Sequence, residues 1–412
     1  MSRPRHGLAG AGDGGSGVTT HVRARSRRAV LPALTYVVAG VLVVAAAVYL
    51  VHWGRAYGLD LQVYRAGIAS WRSGHNPYDG VFTIHHLRFT YPPFALVALS
   101  PLAWAPFAAT QIILWALSIL ALALAVYVVC RRGGSRRGWP LVARSLGWTS
   151  LAVVVVEPVR TNLDYGQINT LLLGLVVVDL LVMPRAHSGW LVGLAAAVKV
   201  TPLIFVAMPL LEREWKAVAR SLGAVAGTTG LTWLFWPKAT KTYWAHDLFA
   251  AKRVGNIASA GNQSLSGMLH RWPFPSDGQA GILLVLCGAA VLMGLYVAHR
   301  RLSHGDRAAA MLALALVGLL ISPISWTHHW VWVALIPPVL LTGGGRSLPG
   351  PARSALWTVC AVSIAAPYWW FSTGFAAEVL ADSLVLSGLG VLVVWSRSEY
   401  AVRAPSSITV AS

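Results

Sequence analysis

The sequence predicts an all-α polytopic membrane protein, and three observations predict it. Of its 412 residues 56% are hydrophobic and only 11% charged, with a mean hydropathy of +0.61. A soluble domain carries about 25% charged residues, so this chain lacks the polar surface to stay in water. The apolar residues gather into runs such as 37–51 and 112–129, suited to a hydrocarbon layer about 30 Å thick. Each run is rich in Leu, Val and Ala without the two-residue alternation of a membrane β-barrel.

The formal charge of +19 arises from 33 Lys and Arg against 14 Asp and Glu. The basic residues lie between apolar runs, which fits membrane topology and anionic headgroups, and no nucleic acid partner is expected. Cys130, Cys287 and Cys360 sit in apolar stretches without metal-ligand spacing, so they read as small core residues.

Basic loops stay in the cytoplasm and fix the topology. Residues 1–29, Gly- and Arg-rich, read as a disordered basic cytoplasmic tail, and 30–51 as an uncleaved first span. The polar stretch 52–91 is then outside, and 92–130 returns to the basic segment 131–144. The return begins with a segment broken by Pro92, Pro93, Pro101 and Pro106. Between Arg144 and Arg213 an even number of crossings is required. Runs 146–156 and 168–183 supply two, and 190–211 supplies two more only if it is split at Lys199-Val-Thr-Pro202, because Pro202 disfavours helix at the preceding residue. That split puts Lys199 near the outer face. Run 222–236 leads out to a long loop, 238–278; 282–298 returns, 308–321 goes out, 330–341 comes back, and a final pair ends at Trp395. About twelve segments result, with 30–396 one transmembrane domain, 397–412 a cytoplasmic tail, and both termini cytoplasmic.

The polar chemistry collects in the outer segments, about 52–91, 157–167, 238–278 and 322–330. Asp60 stands in Tyr57-Gly-Leu-Asp-Leu-Gln-Val-Tyr64, just after the first span. A carboxylate held there between apolar residues is either an interfacial helix cap or a base made stronger by desolvation. Glu157 and Asp164 flank an outer turn with Arg160 between them, which suggests an ion pair shaping that turn. Asp179, Glu378 and Asp382 lie near helix ends, where either packing or snorkelling, or a functional role, accounts for them. The adjacent His328 and His329 point in different directions on a helix and do not chelate one ion easily, so no metal is expected. Cationic, amide and aromatic groups mixed on one face suit a sugar-phosphate better than an ion pathway, which places acids inside the spans.

These segments carry a resemblance. The Asp60 segment, Tyr91-Pro-Pro93, Asp164-Tyr-Gly-Gln-Ile-Asn169, Lys199-Val-Thr-Pro202, Gly261-Asn-Gln-Ser264 and Ser322-Pro-Ile-Ser-Trp-Thr-His-His329, in this order and on one face, resemble glycosyltransferase family 87. These are the actinobacterial polyprenol-phosphate-mannose-dependent α-(1→2) mannosyltransferases of the GT-C superfamily. The resemblance runs from about residue 30 to 395. It implies a GT-C fold in the plasma membrane with its active site on the periplasmic face and its catalytic carboxylate at Asp60. The wider superfamily often shows a paired acidic motif; Asp60 is single here, which makes a metal-bridging role and any cofactor less expected.

The implied reaction moves mannose from polyprenyl phosphate mannose to a mannosylated lipid acceptor, phosphatidylinositol mannoside being the first expectation. A β-mannosyl phosphate giving an α-mannoside inverts, so one displacement and one base suffice. Asp60 is the candidate general base. Lys199, His328 and His329 are candidates to stabilise the departing phosphate, with Lys252 and Arg253 behind them; Lys199 also suits a snorkelling cation. Gln167, Asn169, Asn262 and Gln263 either bind sugar hydroxyls or cap helices. Tyr64 and Trp326 either stack on a sugar or, for a Trp, anchor at the interface. A transporter or flippase is the rival from another class, but it predicts inverted repeats and buried ionisable groups near the midplane, and no internal repeat is evident. A related transferase with another acceptor or an arabinosyl donor is the nearer rival, since both sugars use the same binding groups.

Overall fold

The computed structural model describes residues 58–83, 85–135, 138–273, 275–342, 348–370 and 375–398, together with residue 40. The expected tail at 1–29, the first span at 30–51 apart from residue 40, Arg136, Arg137 and residues 399–412 lie outside these.

The described residues are helical, with only isolated bridges at Phe82–Leu87 and Asn262–Trp326. Helix α1 (Leu59–Arg72) is followed by α2 (Pro93–Leu99), a 3₁₀ turn at Ser100–Ala103, and α3 (Phe107–Arg132). The prolines at 92, 93, 101 and 106 therefore break the chain as their missing N–H groups require. Arg65 of α1 stabilises the break, donating to the carbonyls of Leu102 (2.6 Å) and Ala105 (2.7 Å). Beyond it α3 runs 26 residues without interruption and is long and apolar enough to cross a membrane, as is Asp277–Ser303.

Helix α4 (Trp139–Val155) meets α5 (Glu157–Asp164) at a 76° bend, and α6 (Asn169–Leu181) follows. The segment at 157–164, expected to be a turn, is thus a short helix, with Pro158 in its first turn, where a missing N–H costs nothing. The 190–211 run is split as expected, into α7 (Trp190–Val198), a 3₁₀ segment Thr201–Val206 and α8 (Ala207–Leu211), with Lys199 extended between them at φ −148°. Asp179, fully buried, accepts from the backbone N–H groups of Gly189 (2.5 Å) and Val192 (2.7 Å). It caps α7 with a charge matched to the helix dipole.

Helix α9 (Trp215–Phe235) leads into the region expected as a long loop, which instead contains α10 (Pro237–Ala245) and α11 (Leu265–Arg271). Helix α12 (Ser276–Ser303) then packs on α13 (Arg307–Ile321). The latter is buried over almost its whole circumference, from Ala308 to Leu320, as a helix apolar on every side must be in a bundle centre. By contrast α12 leaves Leu284, Val285 and Leu292 more than two-thirds exposed, an apolar surface suited to lipid. A 3₁₀ segment Thr327–Leu335, α14 (Ile336–Leu341), α15 (Gly350–Ala365), α16 (Phe375–Ala381) and α17 (Ser383–Arg397) complete the described chain.

Buried charge fastens the long region to the final helices. Asp382, fully buried, takes the Arg271 guanidinium and the Trp272 indole N–H (2.6 Å), while Arg271 also donates to the carbonyls of Ser259 and Asn262. Desolvating two charges is repaid only when the remaining donors and acceptors are filled, and here they are. Asp382 therefore has a packing role at its helix end.

Candidate active site

The start of α1 is pinned against the α5–α6 turn. Gly58 N–H donates to the Asp164 carbonyl (3.0 Å) and Asp60 N–H to that of Tyr165 (2.9 Å). Glycine is required at both contact points. Gly58 has φ +46° with the Phe107 ring 2.5 Å from where a Cβ would stand, and Gly166 has φ +67° with Leu61 Cβ at 2.8 Å. This approach delivers Asp60 to Gln167.

Gln167 is oriented by two phenols. Its Oε1 accepts from Tyr64 and Tyr91, both at 3.0 Å, and the two hydroxyls are 2.8 Å apart. The carbonyl end is thereby occupied, which leaves the amide NH₂ to act on the Asp60 carboxyl. Burial pushes Asp60 up to about 6, against the Gln167 amide and the nearby Lys199 charge, both of which favour the anion. A carboxylate near this value is ionised at neutral pH yet basic enough to accept a proton in a transition state.

Opposite lies Lys199, which burial lowers to about 7 against the Asp60 charge that favours its ammonium form. Lys199 Nζ donates to Asn169 Oδ1 (2.7 Å), contacts His329 Nε2 (3.1 Å), and stands 5.4 Å from the centre of the Tyr91 ring. Asn169 also donates to the His328 carbonyl (3.0 Å), so one amide aligns the Lys199 break with the histidine segment. The two imidazoles are nearly perpendicular, with centres 4.8 Å apart. His329 meets Lys199, while His328 packs edge-on against Tyr165 (5.4 Å) and its Nε2 is buried without a partner among the described residues.

A cavity of about 760 Å³ joins these groups, a size within the range of roughly 300–1,000 Å³ found for small-molecule sites. Of the residues singled out from sequence, Asp60, Gln167, Lys199, Trp326, His328 and His329 line it. The others do not. Tyr64 is fully buried and serves the Gln167 amide rather than a ring face, and Asn169 supports Lys199 from behind. Asn262 and Gln263 are fully buried with their amides spent on the loop and its neighbours: Asn262 bonds Ile257, Pro323 and Ser325, and Gln263 bonds Ala260, Ala381 and Leu384. Arg253 is tied to Asp247 (3.1 Å) and the Tyr78 carbonyl (2.6 Å), and Lys252 is exposed away from the cavity wall.

The ion pair expected around Arg160 is replaced by a different arrangement. Glu157 is buried and accepts from Thr161 (2.6 Å), Thr327 (3.1 Å), Tyr368 (2.6 Å) and Trp369 (3.3 Å). Four uncharged donors satisfy the carboxylate, so no cation is needed. Sequence reading missed Trp369, Tyr165 and Thr327 as cavity residues. The only signal for Trp369 is the aromatic run Tyr368-Trp-Trp-Phe371 between two apolar stretches.

Residues 89–323 match glycosyltransferase family 87. The chain belongs to glycosyltransferase family 87. The family 87 match contains Gln167 and Lys199, while Asp60, His328 and His329 lie outside the matched span and are brought in by the fold. The chain is 34% identical, over 79% of its length and 78% of the relative's, to a polyprenol-phosphate-mannose-dependent α-(1-2)-phosphatidylinositol pentamannoside mannosyltransferase of Mycolicibacterium smegmatis. It is 33% identical, over 70% of both chains, to a polyprenol-phosphate-mannose-dependent α-(1-2)-phosphatidylinositol mannoside mannosyltransferase of Mycobacterium tuberculosis. An α-(1→3)-arabinofuranosyltransferase of Mycobacterium tuberculosis is 28% identical over only 39% of this chain and 37% of its own. This family 87 chain is therefore a glycosyltransferase, and its apolar helices fit a membrane enzyme.

Removing the Gln167 amide has a defined effect on pH dependence. With Asp60 in the role of a base the carboxylate is the active form, so activity is expected to fall as pH drops through about 6. Gln167→Leu deletes a contact that favours the anion, and the acidic limb of kcat/KM moves to higher pH. A pH–rate profile checks this; an unmoved or lowered limb contradicts the placement of Gln167.

Proposed function

We propose that this chain transfers mannose with inversion from polyprenyl phosphate mannose to a mannosylated phosphatidylinositol lipid, forming an α-(1→2) linkage. One observation carries the reading: Asp60 and the Lys199–His329 pair line the same cavity. The names of the two similar mannosyltransferases, each matched over at least 70% of both chains, favour mannose over the arabinosyl alternative.

In this mechanism Asp60 takes the proton from the acceptor 2-hydroxyl as that oxygen bonds to the anomeric carbon. The bond from the anomeric carbon to the phosphate oxygen breaks, and the lipid phosphate leaves with the electron pair. A phosphate needs no general acid; it needs positive charge and donors where its own charge grows, the charge coming from Lys199 and N–H donors from the imidazoles, which burial and the Lys199 charge hold well below the usual histidine range. Asn169, Tyr91 and Tyr64 hold these groups in place. The experiment is transfer of radiolabelled mannose by membranes containing the protein. Label should enter a mannolipid and be released by an α-(1→2)-specific mannosidase; transfer only from an arabinosyl donor overturns the reading.

We further propose a GT-C arrangement of about twelve segments over 30–396, with cytoplasmic termini and the cavity on the periplasmic face. Ion pairs support the topology: Arg185 bonds Glu214 (3.0 Å) and Arg307 bonds Glu212. Three basic turns thus share one face, distinct from the segments that line the cavity. A Lys252→Cys protein lacking the three native cysteines should react with an impermeant maleimide on intact cells. Reaction only after permeabilisation reverses the assigned face.

A further inference from the structure

Trp369 is more than half exposed (54%) although it lines the cavity. Its neighbour Trp370 is equally exposed (60%) and suits the commoner role of a Trp at a membrane interface, where the ring sits in lipid and the N–H meets headgroups. Trp369 differs. Its indole N–H is spent on the buried Glu157 carboxylate (3.3 Å) and its ring meets Tyr368 edge-on (5.5 Å), which fixes the indole while more than half of the residue stays exposed. Gly261 lies beneath it: a Cβ there would stand 3.1 Å from Trp369 Cη2 and 3.4 Å from Trp326 Cε3. Two indoles therefore flank one side-chain-free position on the cavity wall.

Their place relative to the reaction follows from the segment that carries the histidines. Trp326 meets the Gly261 wall, Thr327 bonds Glu157 beside Trp369, and His329 reaches Lys199. The indole wall and the lysine thus meet the same run one turn apart, His329 N–H donating to the Trp326 carbonyl (2.8 Å). In an inverting displacement the attacking hydroxyl approaches opposite the leaving group. With the phosphate at Lys199, the acceptor sugar lies toward the indoles. We propose that Trp369, oriented by Glu157 and paired with Trp326 across Gly261, is the stacking platform for the acceptor's mannosyl residues. The inference rests on the transfer reaction proposed above. A pyranose presents a C–H face that packs on an aromatic ring, and the ring's amphipathic character suits a half-wet cavity mouth.

The test uses the full-length enzyme, polyprenyl phosphate mannose and an octyl-linked oligomannoside as acceptor. Trp369→Ala should raise the acceptor KM about tenfold, with kcat and donor KM changed by no more than about twofold. Trp369→Phe should retain most of the affinity. Glu157→Leu removes the oxygen that accepts from the indole N–H, frees the ring, and should raise the acceptor KM as well. Gly261→Ala, which pushes on both rings without altering the fold of the helices, should act in the same direction and remains decisive if Trp369→Ala does not accumulate. A rise in donor KM instead, or unchanged KM for both substrates in these variants, overturns the platform. Wild-type enzyme that transfers no mannose to the acceptor overturns the transfer reaction itself, so the two failures are distinct.

Discussion

Asp60→Asn is expected to reduce kcat by about 10²–10⁴-fold, the contribution of a positioned general base, while both KM values stay near wild type. Asparagine has the shape of aspartate and its carbonyl can still accept from the Gln167 amide, so the pinned start of α1 and the two phenols that orient Gln167 keep their arrangement. Only the ability to hold a proton is lost. The acidic limb near pH 6 should disappear from the residual activity. Stability should not fall. A folded-state carboxyl raised above its unfolded value disfavours the ionised form in the fold, so at neutral pH the native carboxylate costs stability that the amide does not. Thermal unfolding in detergent beside single-turnover transfer checks both parts. A folded Asn protein with full activity would leave the proposed chemistry without a base.

Lys199→Gln should lower kcat by about 10²–10³-fold, the range for removing one preorganised group that stabilises developing negative charge. The substituted amide can still donate to Asn169, which now holds Nζ at 2.7 Å, so the break between α7 and the 3₁₀ segment need not move. What disappears is the charge facing both the leaving phosphate and Asp60. A second consequence separates this role from that of a snorkelling cation. The Lys199 charge favours the Asp60 anion, so without it the acidic limb should shift to higher pH. A snorkelling lysine predicts a small loss in rate and an unmoved limb.

Much of the architecture could be read from local signals. Proline at 92, 93, 101, 106 and 202 removes backbone donors wherever it stands, and the breaks before α3 and around Lys199 occur there. Amide chemistry was less legible. Gln167, Asn169, Asn262 and Gln263 look equivalent in sequence, because binding a sugar hydroxyl and satisfying a backbone carbonyl demand the same donors and acceptors. Of these, Gln167 acts on the Asp60 carboxyl; Asn262 and Gln263 spend their amides on partners up to 121 residues away. Glu157 shows the same limit. Arg160 is its local candidate, but three of its four donors come from Thr327, Tyr368 and Trp369.

By itself the sequence determined that the chain is helical and lives in lipid, where its apolar runs stop and restart, and that acid, amide, cation and aromatic groups occupy the segments between them. These follow from composition and from backbone chemistry acting over a few residues. Tertiary structure decided which of those groups share a cavity and which are consumed in holding its walls, since a buried polar atom takes whatever partner the packing of distant helices brings within about 3 Å.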